Sequence, residues 1–182
     1  MKSVIGTIQF MRKIPLWSFC TLVMIITSCE DFTEVDPPNN QLTGLVVFED
    51  ASTVDAAFAH MYSELRNAAF TSGTTSGLTY LLGHYTDELN LYNPSFQSIE
   101  VYEENNVLPT DGYVQGFWNS GYTLIHASNS ILEGVSASTA LSLEDKQRFL
   151  GEAHFLRAFI HFYLTNLFGD IPYVESTDYR VN

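Results

Sequence analysis

The apolar positions between residues 142 and 174 predict one long central helix. Ser142 and Asp145 have the spacing of an N-terminal capping box. Gly169, followed by Pro172, should end the helix near Phe168. At 100° steps the apolar residues form two stripes with a narrow polar seam between them. One stripe holds Phe149, Ala153, Leu156, Ile160, Tyr163, Leu164 and Leu167, the other Phe155, Phe159 and Phe162, and the seam His154, Arg157, His161 and Thr165. Two stripes predict a helix wedged between neighbours at the centre of a core.

Three earlier segments also carry apolar residues at helical spacing. They predict helices from about Ser52 to Ala68, from Gly77 to Leu91, and from just after Thr110 to near Gly134. Ser52 is the expected N-cap of the first. The second would bury Leu78, Leu81, Leu82, Tyr85 and Leu89 and leave His84, Asp87 and Glu88 off that face. Residues 90–109 show no helical period and indicate a long loop. The chain is therefore predicted to be all-α, mostly helical, with antiparallel helix pairs.

The first 28 residues have the layout of a secretory signal. Three basic residues precede an apolar run from Ile14 to Ile26, which is too short to span a membrane. Ile26-Thr27-Ser28-Cys29 resembles the lipobox of bacterial lipoproteins, in which cleavage before the cysteine exposes it for lipid attachment. We therefore expect residues 1–28 to be a lipoprotein signal peptide and Cys29 to carry lipid. An ordinary secreted protein is the alternative.

Residues 29–50 are polar, acidic and turn-rich, and they predict an acidic tether ahead of a domain over residues 51–182. All 21 acidic residues of the chain follow residue 28, but only five of the eight basic ones do. Phosphate backbones would be repelled by such a chain, so a nucleic-acid partner is not expected. Cys20 would leave with the signal peptide, so stability must come from packing instead of disulfides.

The candidate catalytic and metal-binding residues do not form complete sets. His154 and His161 share the polar seam, but neither a cysteine nor a suitably spaced carboxylate completes a metal site. Asp87 and Glu88 are adjacent, so on a helix they would point about 100° apart and could not flank a glycosidic bond. Arg157 is expected to hydrogen-bond a neighbouring loop or to pair with a buried acid. We therefore expect no enzymatic activity, no cofactor and no metal.

The central helix resembles the signature of SusD-like (RagB) proteins, which reads roughly E-A-x-F-L-R-A-x-x-Y-F-x-L-x-x-x-F-G-D-x-P. The positions that match are Glu152, Ala153, Phe155, Leu156, Arg157, Ala158, Phe162, Leu164, Phe168, Gly169, Asp170 and Pro172. His161 departs from it, since the family commonly has an aromatic residue there. Trp118, Gly121, Tyr122 and Ala127 partly match a tetratricopeptide pattern. The resemblance implies tetratricopeptide-like helix pairs of a SusD-like fold, here truncated to an incomplete amino-terminal part with long loops.

The resemblance also implies a surface-exposed outer-membrane lipoprotein that binds a glycan, or sometimes a peptide, and passes it to a SusC-type TonB-dependent transporter. Sugar binding needs aromatic rings that stack on pyranose faces and polar groups that reach hydroxyls. Residues 90–109 offer both, with Tyr92, Asn93, Phe96 and Tyr102 as candidate ligand contacts. Two alternatives stay open. The rings could simply pin the loop to the core, or the chain could be a helical interaction scaffold that docks a membrane partner without its own sugar site.

Overall fold

The computed structural model describes residues 47–68, 70–93 and 97–181, all within one compact unit spanning Leu42–Asn182. Its helices are α1 (Ala51–Asn67), α2 (Leu78–Tyr85), α3 (Gln97–Glu103), α4 (Gly112–Ala137) and α5 (Leu143–Phe168). These described ranges contain no β-strand. The predicted all-α, mostly helical fold is confirmed. The predicted signal peptide, Cys29 and most of the predicted tether lie outside the described residues.

Helices α4 and α5 form the central antiparallel pair. Trp118 contacts Phe168 with ring centroids 5.2 Å apart, and further along α4 the Asn129 side chain accepts a hydrogen bond from Arg157. Between them the helices approach closely at Gly121, where an added Cβ would lie 2.8 Å from Leu164. The order of these contacts shows that the two helices run in opposite directions. A larger residue at 121 would have to displace the buried Leu164 side chain or move the two helices apart.

Helix α1 lies against the N-terminal half of α5. Phe58 stacks on Phe149 with ring centroids 5.8 Å apart, and this contact joins two fully packed core residues. At the surface beside it, Arg148 Nη1 lies 2.7 Å from Asp55 Oδ1. The segment before α1 also packs on the domain, because the Phe48 ring lies close over Gly134 of α4. The last residues of the predicted tether are thus part of the packed unit.

Capping side chains set the ends of the long helices. Ser142 Oγ accepts from the Asp145 amide at 3.1 Å at the start of α5, and Gly169 ends that helix with φ 76°. Both ends were predicted correctly. The predicted N-cap of α1 was wrong, since Asp50 Oδ1 accepts from the amide of Ser52 at 2.7 Å and the helix begins at Ala51. A side chain can cap only residues that follow it, and Asp50 is the polar residue directly before the helix.

The second predicted helix is shorter than its apolar pattern indicated. Helix α2 ends at Tyr85, and Asp87 takes φ 60°, which takes the chain out of the helix. The amides of Glu88 and Leu89 both donate to the Gly83 carbonyl at 2.9 Å, so the chain folds back on α2. Leu78 and Leu81 are buried as predicted, whereas three residues of the predicted face are exposed, namely Leu82, Tyr85 and Leu89.

Two further predictions about helices were wrong. Residues 97–103, expected to be loop, form α3, which buries Ile99 and Tyr102 at a spacing of three. A seven-residue helix shows too little of a period to be recognised. On α5 the first apolar stripe is buried except for the half-buried Tyr163 and Leu167, whereas Phe155 and Phe162 of the second stripe are 62% and 64% exposed. Within the described residues, α5 therefore packs mainly on one side, and it is not wedged between neighbours along both stripes.

Candidate functional site

The chain between α2 and α3 presents one of the candidate ligand contacts fully to solvent. Tyr92 is 100% exposed, and Asn93 beside it is exposed too. Phe96 lies outside the described residues. Just before Tyr92, the Leu91 amide donates to Glu103 Oε1 at 3.1 Å, which ties the start of this segment to the end of α3. The phenol ring of Tyr92 is therefore displayed from an anchored backbone.

Tyr102 has a different environment from Tyr92. It is only 4% exposed, and its hydroxyl donates to Asp111 Oδ1 at 2.7 Å. The ring also meets Tyr113 edge-on, with centroids 6.3 Å apart. Burial, followed by the hydrogen bond to Asp111, raises the pKa of the Tyr102 phenol above its ordinary value. Tyr102 thus pins this segment to the core, while its role as a ligand contact stays a prediction.

Asp111 is a positioning residue that the sequence analysis did not single out. The same Oδ1 that holds Tyr102 accepts from the amides of Tyr113 at 2.9 Å and Val114 at 3.1 Å, capping α4. A carboxylate at a helix N-terminus is favoured by the unpaired amides and by the helix dipole. Asp111 thereby couples the end of α3 to the start of α4. Its N-cap position, one residue before the helix, was the available signal.

Two of the four residues in the polar seam of α5, Arg157 and His161, are buried and make structural contacts. Arg157, 9% exposed, donates from Nη1 to Asn129 Oδ1 at 2.8 Å and to the Glu175 carbonyl at 3.4 Å. The predicted contact with a neighbouring loop is confirmed, although the acid it reaches, Glu175, is exposed. His161 Nδ1 pairs with the Arg157 carbonyl at 2.8 Å, whereas His154 is exposed. The part of the chain described holds no group of three side chains able to bind a metal ion.

Residues 170–177 form an extended strap that α4 holds along its length. The Tyr122 hydroxyl donates to the Pro172 carbonyl at 2.8 Å, and Asn129 Nδ2 donates to the Val174 carbonyl at 3.1 Å. One turn further, Glu133 Oε1 accepts from the Thr177 amide at 2.9 Å. Hydrogen bonds from Thr177 lower the pKa of Glu133 below its ordinary value. These three contacts, spaced seven and four residues apart on one face of α4, fix the path of the chain after α5.

The position of His84 was predicted wrongly from the sequence. Expected off the apolar face of α2, it is buried, with the edge of its ring against Tyr80 at a centroid distance of 4.7 Å. Neither ring nitrogen has a hydrogen-bond partner among the described residues. Asp87 and Glu88 are exposed as the sequence indicated, but they lie beyond the end of α2 instead of on the helix. None of the helices described is both long and apolar enough to cross a membrane.

Comparisons with known proteins give a consistent result. A SusD-like family model described as "Starch-binding associating with outer membrane" matches residues 31–182. SusD-like protein P25 of Formosa agariphila is 28% identical over 157 residues, which cover 84% of this chain and 29% of that protein. SusD-like protein P2 of the same organism is 28% identical over 170 residues, which cover 91% of this chain and 32% of that protein.

A third relative, a SusD-like protein of Bacteroides ovatus, is 23% identical over 178 residues, which cover 96% of this chain and 31% of that protein. The chain therefore spans about a third of the length of the curated relatives that it matches. No solved structure matches it significantly.

Proposed function

Because the chain belongs to the SusD-like family, we propose that it acts at the outer membrane of the cell, where it binds glycans and delivers them to a SusC-type TonB-dependent transporter. The observation that carries this proposal is the match of residues 31–182 to a family model described as starch-binding and associated with the outer membrane. The binding role requires no catalytic set, and the SusC-type transporter is the proposed partner. The chain is proposed to act without enzymatic activity.

The proposed ligand contacts are Tyr92, Asn93 and Phe96. Support comes from the complete exposure of Tyr92 together with the anchoring of its neighbour Leu91 to Glu103. A ring that is open to solvent and carried next to an anchored backbone suits stacking on the apolar face of a pyranose, because the backbone loses little conformational freedom on binding. Tyr102 contributes indirectly, by fixing α3 to Asp111.

The proposed binding is tested by affinity electrophoresis of the full chain in gels that contain soluble starch, xylan or laminarin. At least one polysaccharide should retard the chain, and Tyr92→Ala should restore much of the mobility. Tyr179→Ala is the matched control, since Tyr179 is also a highly exposed tyrosine but lies outside the segment between α2 and α3. A chain that no polysaccharide retards would contradict the proposed function, and equal effects of both variants would contradict the role of Tyr92.

Attachment to the membrane is proposed to run through Cys29. Residues 1–28 would be removed as a lipoprotein signal peptide, the cysteine would carry lipid, and residues 29–50 would form the tether of the helical domain over 51–182. Cys29→Ala should release the protein from the membrane fraction of cells that express it. Persistent membrane association of this variant would exclude the lipid anchor.

A docking role without a sugar site is the second candidate, and the exposed side of α5 favours it. Phe155 and Phe162 are more than half exposed, and their rings lie one turn either side of Phe159. Large apolar side chains exposed together on one helix mark interaction surfaces. Co-purification with a TonB-dependent transporter that is lost in a Phe155→Ser/Phe162→Ser variant, without retardation by any polysaccharide, would favour this candidate over glycan binding.

A further inference from the structure

We propose that the groove beside Trp118 is a second saccharide subsite, one that takes a neutral pyranose. This inference rests on the proposed glycan-binding function and adds a location and a ligand class to it. The groove encloses about 510 Å³ where the N-terminal half of α4 meets the end of α5. Its side chains include Thr110, Gln115, Trp118, Asn119 and Phe168. Its volume is within the roughly 300–1,000 Å³ typical of small-molecule sites.

The indole of Trp118 is held in position before any ligand arrives. Phe168 meets it nearly perpendicularly, at 86° and a centroid distance of 5.2 Å. Tyr122 packs against it from one turn further along α4, at 4.8 Å. Trp118 nevertheless remains partly exposed where it lines the groove. A large, flat and fixed ring provides an apolar platform with little entropy left to lose on binding.

Two amides flank this platform. Gln115 and Asn119 are four residues apart, so they share one face of α4. Both are exposed, and both line the groove together with Trp118. No side-chain hydrogen bond engages either amide within the described residues. An amide offers both donors and an acceptor, as does each hydroxyl of a sugar. The amides and the Thr110 hydroxyl are therefore placed to pair with the hydroxyl edge of a ring stacked on Trp118.

The charge of the lining indicates a neutral ligand. The whole chain has a formal net charge of −13, yet none of the residues that line this groove is charged. An acidic sugar would approach a strongly acidic protein without a cation to pair with, and a basic peptide would find no carboxylate in the groove. A neutral saccharide would bring no charge that needs an opposite charge in the groove, since its polar groups need only hydrogen-bond partners.

Tryptophan fluorescence reports on this groove directly. The chain has two tryptophans, Trp17 and Trp118. Trp17 lies in the proposed signal peptide, and Trp17→Phe in the unprocessed full chain likewise leaves the groove residue as the single fluorophore. The titrant is a seven-sugar oligomer of the polysaccharide that most retards the chain, which for starch is maltoheptaose. Saturable change of the Trp118 emission is expected. Gln115→Ala/Asn119→Ala should raise the half-saturating concentration about tenfold, as two lost hydrogen bonds would.

Gln147→Ala is the matched control, because Gln147 is an exposed helical glutamine that does not line the groove, and it should leave the titration unchanged. The amide variants are on the surface of α4, so their melting temperatures should match the parent. Retardation by starch without any response of Trp118 would overturn the subsite and leave the glycan-binding function intact. A response that the double variant does not weaken would also overturn it. If no polysaccharide retards the chain, both proposals fail.

Discussion

Asn129→Ala should destabilise the fold more than any other single amide substitution on α4. The Asn129 side chain joins three parts of the molecule: it accepts from buried Arg157 at 2.8 Å through Oδ1 and donates to the Val174 carbonyl at 3.1 Å through Nδ2. Alanine removes both bonds. It leaves the guanidinium with two longer contacts, at 3.4 Å and 3.5 Å, both to Glu175.

The size of the effect follows from these contacts. A hydrogen bond to a charged group contributes about 1.5–3 kcal/mol, and the bond to the strap adds about 1 kcal/mol. The higher helix propensity of alanine offsets about 0.5 kcal/mol of this loss in stability. The expected net loss is about 3 kcal/mol, which corresponds to a fall of about 10 °C in melting temperature for a chain of this size. Arg157 is 9% exposed, so water cannot fully replace the lost partner.

Urea unfolding followed by circular dichroism measures this loss. Asn119→Ala is the matched control on the same helix, since Asn119 is exposed, and it should be neutral or stabilising by about 0.5 kcal/mol. A double-mutant cycle with Arg157→Met, which keeps the packing of the stem, should show a coupling of about 1.5 kcal/mol or more. A loss below about 1 kcal/mol for Asn129→Ala, or additivity in the cycle, would refute the assignment of Asn129 as the buried partner.

Two further predictions concern packing and protonation. Gly121→Ala should lower the free energy of unfolding, measured in urea, by about 1–3 kcal/mol, because the new Cβ would lie 2.8 Å from a Leu164 methyl. Gly116→Ala is the control and should be neutral or stabilising, since nothing lies within 4 Å of its Cβ. Equal effects of the two variants would contradict the close approach of α4 and α5. Burial, followed by the bond to Glu152, raises the pKa of Tyr62 from 10.0 to about 12, so its contribution to stability is present below pH 10 and is lost as the pH rises through 12. Ultraviolet titration should show late-ionising phenols, Tyr102 among them, and Tyr62→Phe should remove one of these phenols; an unchanged titration curve would contradict the bond.

The long helices could be predicted from the sequence because their signals are local. Ser142 and Gly169 mark the ends of α5 by capping chemistry that acts within one turn. Helix α3 gave no such signal, since seven residues complete barely two turns. The prediction that a neighbour covers the second apolar stripe of α5 was wrong for another reason. Periodicity shows that Phe155 and Phe162 share a side of the helix, but it cannot show whether a neighbour covers that side.

The environments of the candidate ligand contacts could be distinguished only with the structure. Tyr92 and Tyr102 are equivalent in the sequence, since each is a tyrosine among asparagines and acids in a segment without a clear period. What separates them is a tertiary contact. Asp111, nine residues after Tyr102, accepts a hydrogen bond from the Tyr102 hydroxyl and holds that ring in the core, whereas Tyr92 is fully exposed. A pairing of this kind depends on how α3 meets α4, which no local pattern encodes.

The signature region of α5 and the proposed subsite are connected through Trp118. Phe168, a signature residue, fixes one side of the indole, and the carbonyl of Pro172 binds the Tyr122 hydroxyl, whose ring fixes another. The residues that carry the family resemblance thus orient the platform without supplying the polar lining of the groove. That lining comes from α4 and the residues just before it. Tyr122→Phe should separate the two roles: it keeps the ring against Trp118 but releases the strap, so stability should fall by about 1 kcal/mol while the fluorescence titration stays unchanged. A weakened titration would show that the strap, and not the ring alone, sets the groove.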